Sequence, residues 1–511
     1  MGQSIVSSHR SPGPSRRVGR VGRVDTEDNT TRSRMMSAKK PVNDGALATI
    51  MRSMNAQAFD AYLTEHRERL LEDYKDFLRQ PSVAATGQGI TEMAALVARR
   101  LSSIGADVKI VPTEGDAPPI VWAELGAGDR ELLIYNHYDV QPAEPLDLWE
   151  SPPFEPTVRN GMLFARGASD DKGEIITRIH AIEAWQKTQG DKLPFKIKWL
   201  IEGEEEVGSP HIHSWVEKHQ TWLHKPDGRP LDGCLWEFGG FDEKNRFTLT
   251  MGVKGICYVE LHAKGVSHDL HSSLAAIAPN AAWRLTWALN TIKDEHEKIT
   301  IEGYYDHVRA LTPAEEDVLR SVPFEEAELK TKWGISEFVT GVTSFDAVKR
   351  LYFQPTATIC GLTSGWQGTG TKTVLPATAL AKVDFRLVPN LTPEIVIDLL
   401  RKHLDQHGFS DIEIKLLGGY RSALSDVNSP FVKAAERAAK TTYHQDPVKV
   451  LLSPGSGPMY TLTDFIGGVP AVCAGIAHAD TRIHSPNENS SLQNYYDGMR
   501  YIGALIDEFA R

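Results

Sequence analysis

Residues 195–208, FKIKWLIEGEEEVG, join a largely apolar run to a cluster of acidic side chains. The run 195–201 has the length and the aromatic and β-branched content of a buried strand. Four glutamates follow where that strand ends: Glu202, Glu204, Glu205 and Glu206. Such a cluster is usually a solvated surface patch, but ligands of open α/β sheets bind at the carboxyl ends of strands. Repelling carboxylates gathered there indicate a bound cation.

Three further segments place acids or histidines after strand-like runs. His137 and Asp139 follow the run 131–135, Glu237 follows 234–236, and His484 lies downstream of 470–476. In an extended chain, two residues that are two positions apart point to the same face. One of the pair His137 and Asp139 can therefore hold a metal while the other fixes the imidazole tautomer. An isolated triplet of this kind is weak evidence for a site.

A pair of aspartates, Asp170 and Asp171, lies in the glycine-bounded segment 167–173, GASDDKG, before a predicted helix. One interpretation is structural, because acids at a helix start cap its first N–H groups and suit its dipole. The other interpretation is a metal-ligand pair. Taken alone, this segment favours capping.

The joint occurrence of these clusters favours a site for two divalent metal ions. Two imidazoles with Asp170, Glu206 and Glu237 set three negative charges against four positive ones. A bridging hydroxide brings such a site to neutrality and leaves open positions for a carbonyl oxygen. Glu205 is not needed as a ligand in this set, so it is available as the general base. Of two adjacent carboxylates, one can bind a metal while the other activates water.

The order of predicted elements gives the fold class, an α/β fold with a mixed-sheet catalytic domain. A helix over residues 59–78 opens the fold, and strands and helices then alternate. From residue 255 the order is β-α-β-β-α-β, which is ferredoxin-like, with a polar insertion of about fifty residues. We expect the following parts: a disordered or spurious tail 1–50, catalytic parts 56–252 and 419–511, and an inserted lid and dimerisation domain 253–418.

Composition restricts the class of partner. The 511 residues carry a formal net charge of -11, which argues against nucleic acid or an anionic membrane as a partner. No run approaches the ~20 apolar residues that span a bilayer. The arginine-rich first forty or so residues have no apolar core of a secretory signal, and Asp25, Glu27 and Asp28 argue against a transit peptide. A disordered tail, or sequence upstream of the true start, is the favoured interpretation. Four scattered cysteines are expected to be buried free thiols in a reducing, cytoplasmic compartment.

These motifs resemble one known family, over roughly residues 56–511. In combination, YNHYDVQPA, GASDDKGE, EGEEEVGS, DLHSS, FRLVPN and RIHSPNE are highly specific. The chain resembles the carnosinase, aminoacylase and succinyl-diaminopimelate desuccinylase superfamily of co-catalytic zinc metallopeptidases, in particular its cytosolic dipeptidase branch.

The resemblance implies a role for each site residue. Asp170 would bridge two ions, with His137 and Glu237 on one and Glu206 and His484 on the other. Asp139 would orient His137, Glu205 would act as base, and the peptide bond between Asp170 and Asp171 would be cis. The remaining implied residues belong to the oxyanion site and the substrate pocket: His271, donated by the partner subunit of a homodimer, Thr373, Arg386, Gly455 and Ser456.

The leading hypothesis is a cytoplasmic homodimer that hydrolyses dipeptides or short peptides with a free carboxylate. Glu205 would activate a water bridging two metals, which we expect to be zinc, with manganese or cobalt as alternatives. Dipeptidases usually carry Asp where this chain has Glu237, which weakens the inference about substrate. The alternative is an N-acyl-amino-acid deacylase with the same two metals, and a non-catalytic metal-dependent scaffold is a third hypothesis. The retained Glu205 argues against the scaffold.

Overall fold

A computed structural model of the chain describes residues 54–190 and 192–511, so the expected tail 1–50 lies outside the described residues. Twelve α-helices are described in this part of the chain: α1 (Ala56–Glu65), α2 (Arg67–Arg79), α3 (Ile90–Ser103), α4 (Lys172–Gln189), α5 (Ile212–Lys218), α6 (Ala281–Ile292), α7 (Pro313–Ser321), α8 (Glu326–Trp333), α9 (Ser344–Phe353), α10 (Pro393–Gln406), α11 (Pro430–Tyr443) and α12 (Leu492–Ala510). The helix expected over residues 59–78 is two helices that meet at His66, where the backbone leaves the helical region.

The same part of the chain contains nineteen strands, several of them only two or three residues long. They are β1 (Asp107–Val111), β2 (Ile120–Gly126), β3 (Glu131–His137), β4 (Thr157–Arg159), β5 (Met162–Phe164), β6 (Lys196–Glu202), β7 (Gly233–Trp236), β8 (Thr248–Thr250), β9 (Gly252–Val253), β10 (Gly255–Lys264), β11 (Leu270–His271), β12 (Thr356–Ser364), β13 (Val374–Leu375), β14 (Thr378–Leu387), β15 (Glu413–Tyr420), β16 (Ala423–Leu424), β17 (Val448–Val450), β18 (Ala471–Cys473) and β19 (Asn489–Ser491).

The large sheet has eight strands in the order β1-β2-β6-β3-β7-β18-β8-β17. Strand β3 runs parallel to β6 and β7, whereas β1, β2 and β6 pair antiparallel, so the sheet is mixed. Strand β3 is buried along its whole length because helices cover both faces of the sheet. Ile134 belongs to the core on one face and Leu133 to the core on the other. The predicted mixed α/β fold is confirmed.

A smaller antiparallel sheet has four strands in the order β12-β14-β10-β15. Along the chain its elements are β10, α6, β12, β14, α10 and β15. Alternate residues of β10 are buried, which agrees with one covered face and one open face. The covered face has its own core, in which Val259 and Phe385 pack with Leu285 and Leu400 of α6 and α10.

Helices α7 to α9 lie in sequence between two strands of the small sheet but pack elsewhere. Val318, Leu319 and Phe353 are part of the core of the large sheet, and α7 packs on β17. Amphipathic helices pack wherever their apolar stripe is covered, whatever their place in the sequence. The segment α7–α9 therefore links the small sheet back to the large one.

The four cysteines are free, and Cys234, Cys257 and Cys473 are buried as expected. The expectation is wrong for Cys360, which is exposed because it lies on β12 at the edge of the small sheet. Across residues 54–190 and 192–511, no helix combines the length and the apolar character needed to cross a membrane.

Candidate active site

Parallel pairing brings three of the predicted acid and histidine clusters to one edge of the large sheet. His137 at the end of β3 lies in register with Glu202 at the end of β6. Glu205 begins a 3-10 turn just after β6, and Glu237 directly follows β7, the other neighbour of β3. The carboxyl ends of neighbouring parallel strands meet at the same edge, so these side chains converge.

Asp170 stands between two imidazoles and presents one carboxylate oxygen to each. Its Oδ1 lies 3.1 Å from Nε2 of His137, and its Oδ2 lies 3.0 Å from Nε2 of His484. The same Nε2 of His484 lies 3.0 Å from Oε2 of Glu206. Among the described residues, Asp170, Glu206 and His484 place one ligand atom each within 4.8 Å of one another. Glu237 is not part of that group.

Asp171 is directed away from these side chains. Its Oδ2 accepts hydrogen bonds from Nδ2 of Asn136 at 2.7 Å and from the backbone N–H of His137 at 3.0 Å. It occupies the N-cap position of α4, but its side chain caps no helix N–H group. The peptide bond between Asp170 and Asp171 is cis, as the resemblance implied.

Asp139 contacts both His137 and the turn that carries the two glutamates. Its Oδ1 lies 3.3 Å from Nδ1 of His137. Its two oxygens also accept hydrogen bonds from the backbone N–H groups of Glu205, at 3.3 Å, and of Glu206, at 3.0 Å. One buried carboxylate therefore ties the end of β3 to the turn after β6.

Glu205 and Glu237 are carboxylates in a buried, negatively charged environment. Burial raises the pKa of Glu205 to about 8, and the nearby Asp170 and Glu206 add to the rise, although His137 opposes it. Burial, together with the Glu205 carboxylate, also raises the pKa of Glu237 well above its usual range. Oε1 of Glu237 accepts a hydrogen bond from Nε1 of Trp236 at 2.9 Å, whereas its buried Oε2 has no hydrogen-bond partner.

The loop that contains the predicted substrate-binding residues Gly455 and Ser456 contacts Arg386 and approaches the base. Nη1 of Arg386 donates to Oγ of Ser456 at 3.1 Å, and its Nε donates to Oδ2 of Asp384 at 3.0 Å. A Cβ built on Gly457, next to Ser456, would lie 3.9 Å from Oε1 of Glu205. The loop that contains Gly455 and Ser456 therefore lies between Arg386 and Glu205.

His271 and Thr373 are neighbours, because β11 pairs with β13 in this region of the chain. Oγ1 of Thr373 lies 3.3 Å from Nε2 of His271, and both residues are exposed. In the part of the chain that the structure describes, neither forms a hydrogen bond to the predicted metal ligands.

Residues 133–508 match the sequence profile of Peptidase family M20/M25/M40. The chain belongs to this family. It is therefore a peptidase, a hydrolase of peptide bonds, and the resemblance inferred from its motifs is confirmed.

Proteins similar to this M20 peptidase include two dipeptidases and a metallo-carboxypeptidase. It is 27% identical to Beta-Ala-His dipeptidase of Rattus norvegicus, over 88% of this chain and 94% of that protein. It is 28% identical to the Cys-Gly metallodipeptidase dug1 of Schizosaccharomyces pombe, over 82% and 90%. A solved M20 family metallo-carboxypeptidase, Sso-CP2 of Sulfolobus solfataricus, is 35% identical, with a TM-score of 0.80 over 86% of this chain and 99% of that one.

The donor atoms of this M20 peptidase fit divalent metal ions. Imidazole nitrogens and carboxylate oxygens are ordinary zinc ligands. The buried Oε2 of Glu237 has no hydrogen-bond partner, which is costly unless something else satisfies it. Glu205 also disfavours the charged form of Glu237, and a nearby cation relieves that repulsion.

Two residues of the M20 peptidase that sequence reasoning missed hold the predicted ligands in place. Gln141 donates from Nε2 to Oε2 of Glu206 at 2.9 Å, and from its backbone N–H to Oε1 at 3.1 Å. Glu488 accepts the backbone N–H groups of Ser169 and Asp170, at 3.0 and 3.1 Å, and pairs with Arg166 at 2.7 Å. Gln141 lies in the motif YNHYDVQPA and Glu488 in RIHSPNE. These motifs were the sequence signal that could have identified both residues.

Proposed function

We propose that this M20 peptidase is an exopeptidase that cleaves dipeptides or short peptides with a free carboxylate, using two divalent metal ions. The observation that carries the proposal is the position of Asp170, whose two oxygens face different imidazoles. A carboxylate placed in this way is suited to bridge two ions. The named relatives support the peptide substrate, since two are dipeptidases and one is a carboxypeptidase.

The ligands divide into two sets that share Asp170. His137 and Glu237 would complete one set, and Glu206 and His484 the other. The mixed nitrogen and oxygen donors suit zinc, with manganese or cobalt as alternatives. When bound, the ions would polarise the scissile carbonyl and favour ionisation of water.

Glu205 acts as the general base in this proposal. Its carboxylate is half-buried beside the cluster, and its Oε2 lies 4.0 Å from Nε2 of His137. Glu205 would accept a proton from the attacking water and return it to the leaving amine. Asp139 would hold the base in position, because it accepts the backbone N–H group of Glu205.

Arg386 recognises the free carboxylate of the substrate. Its guanidinium is half-exposed and hydrogen-bonds Ser456 in the loop next to the base. A guanidinium offers the fork of donors that matches a carboxylate. Carboxypeptidases and dipeptidases both cleave beside a free terminal carboxylate. Dipeptidases usually carry Asp at the position of Glu237. The proposal therefore includes both dipeptides and longer peptides with a free carboxylate.

The small sheet, formed by β10, β12, β14 and β15, serves as the dimerisation surface of the expected insert 253–418. Its edge strand β12 exposes Ile359 and Leu362, and α6 exposes Trp283 and Trp287, whose rings stack with centroids 5.9 Å apart. Exposed apolar edges of this kind suit pairing with a second copy. In such a dimer, His271 and Thr373 would reach the partner's site and stabilise the oxyanion. The free cysteines agree with a cytoplasmic location.

A hydrolysis screen tests the proposal. The chain, loaded separately with zinc and with manganese, is offered dipeptides, amino-terminally blocked peptides with a free carboxylate, and N-acetyl amino acids. Release of amino acids from the peptides supports an exopeptidase. Turnover of N-acetyl amino acids alone would establish the deacylase instead, and no turnover of any amide would overturn both.

A further inference from the structure

A cavity of about 660 Å³ lies beside the base, between the large sheet and the small one. Val207 and Gly208, which follow Glu206 directly, line one end of it. Gly457 also lines it, and a Cβ there would lie 3.9 Å from Oε1 of Glu205. The cavity therefore begins at the reacting centre.

One row of side chains on the open face of the small sheet connects Arg386 to this cavity. Arg386 on β14 pairs with Ile256 on β10, and Ile256 pairs with Tyr420 on β15. Directly paired residues of antiparallel strands project from the same face. Arg386 contacts Ser456, while Tyr420 donates its hydroxyl to the carbonyl of Gly208. The row thus spans the cleft, with the cavity at its Tyr420 end.

The lining of the cavity is mostly apolar and aromatic. Ile256 and Tyr420 come from the small sheet, and Ile212, Tyr460 and Phe465 come from the large one. The guanidinium of Arg421, at the rim of the cavity, is already engaged. This group lies 3.4 Å from Oε2 of Glu394 and 3.2 Å from the hydroxyl of Tyr460. An uncharged side chain fits this lining better than an acidic one.

The spacing of the row decides which substrate residue reaches the cavity. Neighbouring strands lie about 4.8 Å apart, so Tyr420 is about 10 Å from Arg386 across two strands. Consecutive Cα atoms of a peptide lie about 3.8 Å apart. With the terminal carboxylate at Arg386, the residue that supplies the scissile carbonyl extends toward Ile256 and Tyr420.

On the basis of the proposed function, we infer that this cavity is a specificity subsite for a large apolar or aromatic side chain on the residue that supplies the scissile carbonyl. The enzyme therefore prefers dipeptides such as Leu–Gly and Phe–Gly over Gly–Gly. Discrimination by an apolar pocket amounts to roughly 10–200-fold in kcat/KM. The reversed series, Gly–Leu and Gly–Phe, has no such preference.

Gly418 offers a direct way to fill the cavity. It lines the cavity and pairs with Tyr258, so its side chain would project from the same face as that of Tyr420. A Cβ at Gly418 meets nothing within 4 Å, and its backbone is not in the left-handed region. Gly418→Phe therefore adds a ring without a clash at its Cβ. Leu416→Phe, at an exposed position of the same strand outside the cavity lining, is the matched control.

The experiment measures kcat/KM of the metal-loaded wild type and its variants on both dipeptide series. Gly418→Phe should lower the ratio of Phe–Gly to Gly–Gly hydrolysis at least about tenfold, whereas Leu416→Phe should keep the wild-type rates on both substrates. Tyr460→Ala, on the opposite wall, should also reduce the preference for Phe–Gly over Gly–Gly. This second variant keeps the subsite testable if Gly418→Phe does not fold.

Three outcomes would overturn the subsite. The first is equal rates for small and large residues in the wild type. The second is a preference confined to the reversed series, and the third is a Phe–Gly rate that neither variant changes. Each leaves the peptidase function intact. No hydrolysis of any dipeptide or longer peptide would instead remove the proposed function, and the subsite with it.

Discussion

The side-chain amide of Gln141 donates to Oε2 of Glu206, the same oxygen that lies 3.0 Å from Nε2 of His484. A second hydrogen bond runs from the same amide to the backbone carbonyl of Glu206 at 3.0 Å. Gln141 therefore fixes both the side chain and the backbone of a predicted ligand, without being a ligand itself.

Replacing Gln141 with Ala should weaken metal binding about 10–100-fold, the usual effect of losing a partner that orients a ligand. The backbone N–H of Gln141 still reaches Oε1 of Glu206, so the lower end of that range is expected. Titration against a chromophoric chelator gives the affinity. Gln406→Ala, at an exposed position of α10, serves as the control. Equal affinities for the two variants would show that the contact does not position Glu206.

The Glu205→Gln variant should keep its metal content and lose roughly 10²–10⁴ in kcat, the scale of a positioned base. Elemental analysis and steady-state rates on one dipeptide separate the two effects. Glu204→Gln is the matched control, since that neighbour pairs with His211 at 2.9 Å and is outside the ligand cluster. A loss of metal in Glu205→Gln would mean that Glu205 and Glu206 exchange roles.

A mixture of two inactive proteins, His271→Ala and Glu205→Gln, should recover activity if His271 completes the partner's site. Random subunit exchange leaves about a quarter of the sites intact in a twofold dimer. The rate is followed after incubation under conditions in which exchange of tagged subunits is confirmed. His268→Ala, another exposed histidine nearby, should be active alone. Exchange without recovery would exclude a shared site.

Substituting Ile359 with Lys should break the homodimer, because a charge on an exposed edge strand opposes strand pairing. Ile359 is 53% exposed on β12, at the edge of the small sheet. Sedimentation velocity reports the mass. Ile110→Lys is the matched control, being 47% exposed on β1, the edge strand of the large sheet. A dimer that survives Ile359→Lys but not Ile110→Lys would place the interface on the large sheet.

Metal binding should raise the melting temperature, because it relieves repulsion among buried carboxylates. A ligand at a hundred times its Kd adds about 2.7 kcal/mol, which is about 3 °C for a chain of this size. Differential scanning calorimetry with and without a chelator measures the shift. Glu237→Gln should raise the melting temperature of the metal-free protein and reduce the shift. A lower metal-free melting temperature in that variant would argue against repulsion at Glu237.

Local sequence signals predicted much of the fold. Helix α10 begins where Thr392 caps the N–H of Ile395 and Pro393 occupies the first turn, both readable from the sequence. The break at His66 was missed because apolar spacing continues through Phe59 and Leu70 on either side of it. Periodicity reports which face is buried, and it does not report a small change of backbone direction.

The predicted site residues come together to different degrees. Asp170, Glu206 and His484 cluster, and the sequence indicated them because each follows a strand or precedes a helix. The support from Glu488 was not predicted, since it joins residues 318 positions apart. Contacts at that separation depend on the tertiary fold, so the motif RIHSPNE marked Glu488 as a candidate without showing what it contacts.

Because of helices α7 to α9, the small sheet is not formed by one continuous segment of the chain. Because they return to the large core between β10 and β12, the polypeptide crosses between the two cores four times. Excising residues 253–418 as a single cassette would therefore remove Val318, Leu319 and Phe353 from the large core as well. A transplanted small sheet must likewise be built from two separate segments. A single insertion or deletion therefore cannot exchange the small sheet alone, and we expect the two sheets to be inherited together.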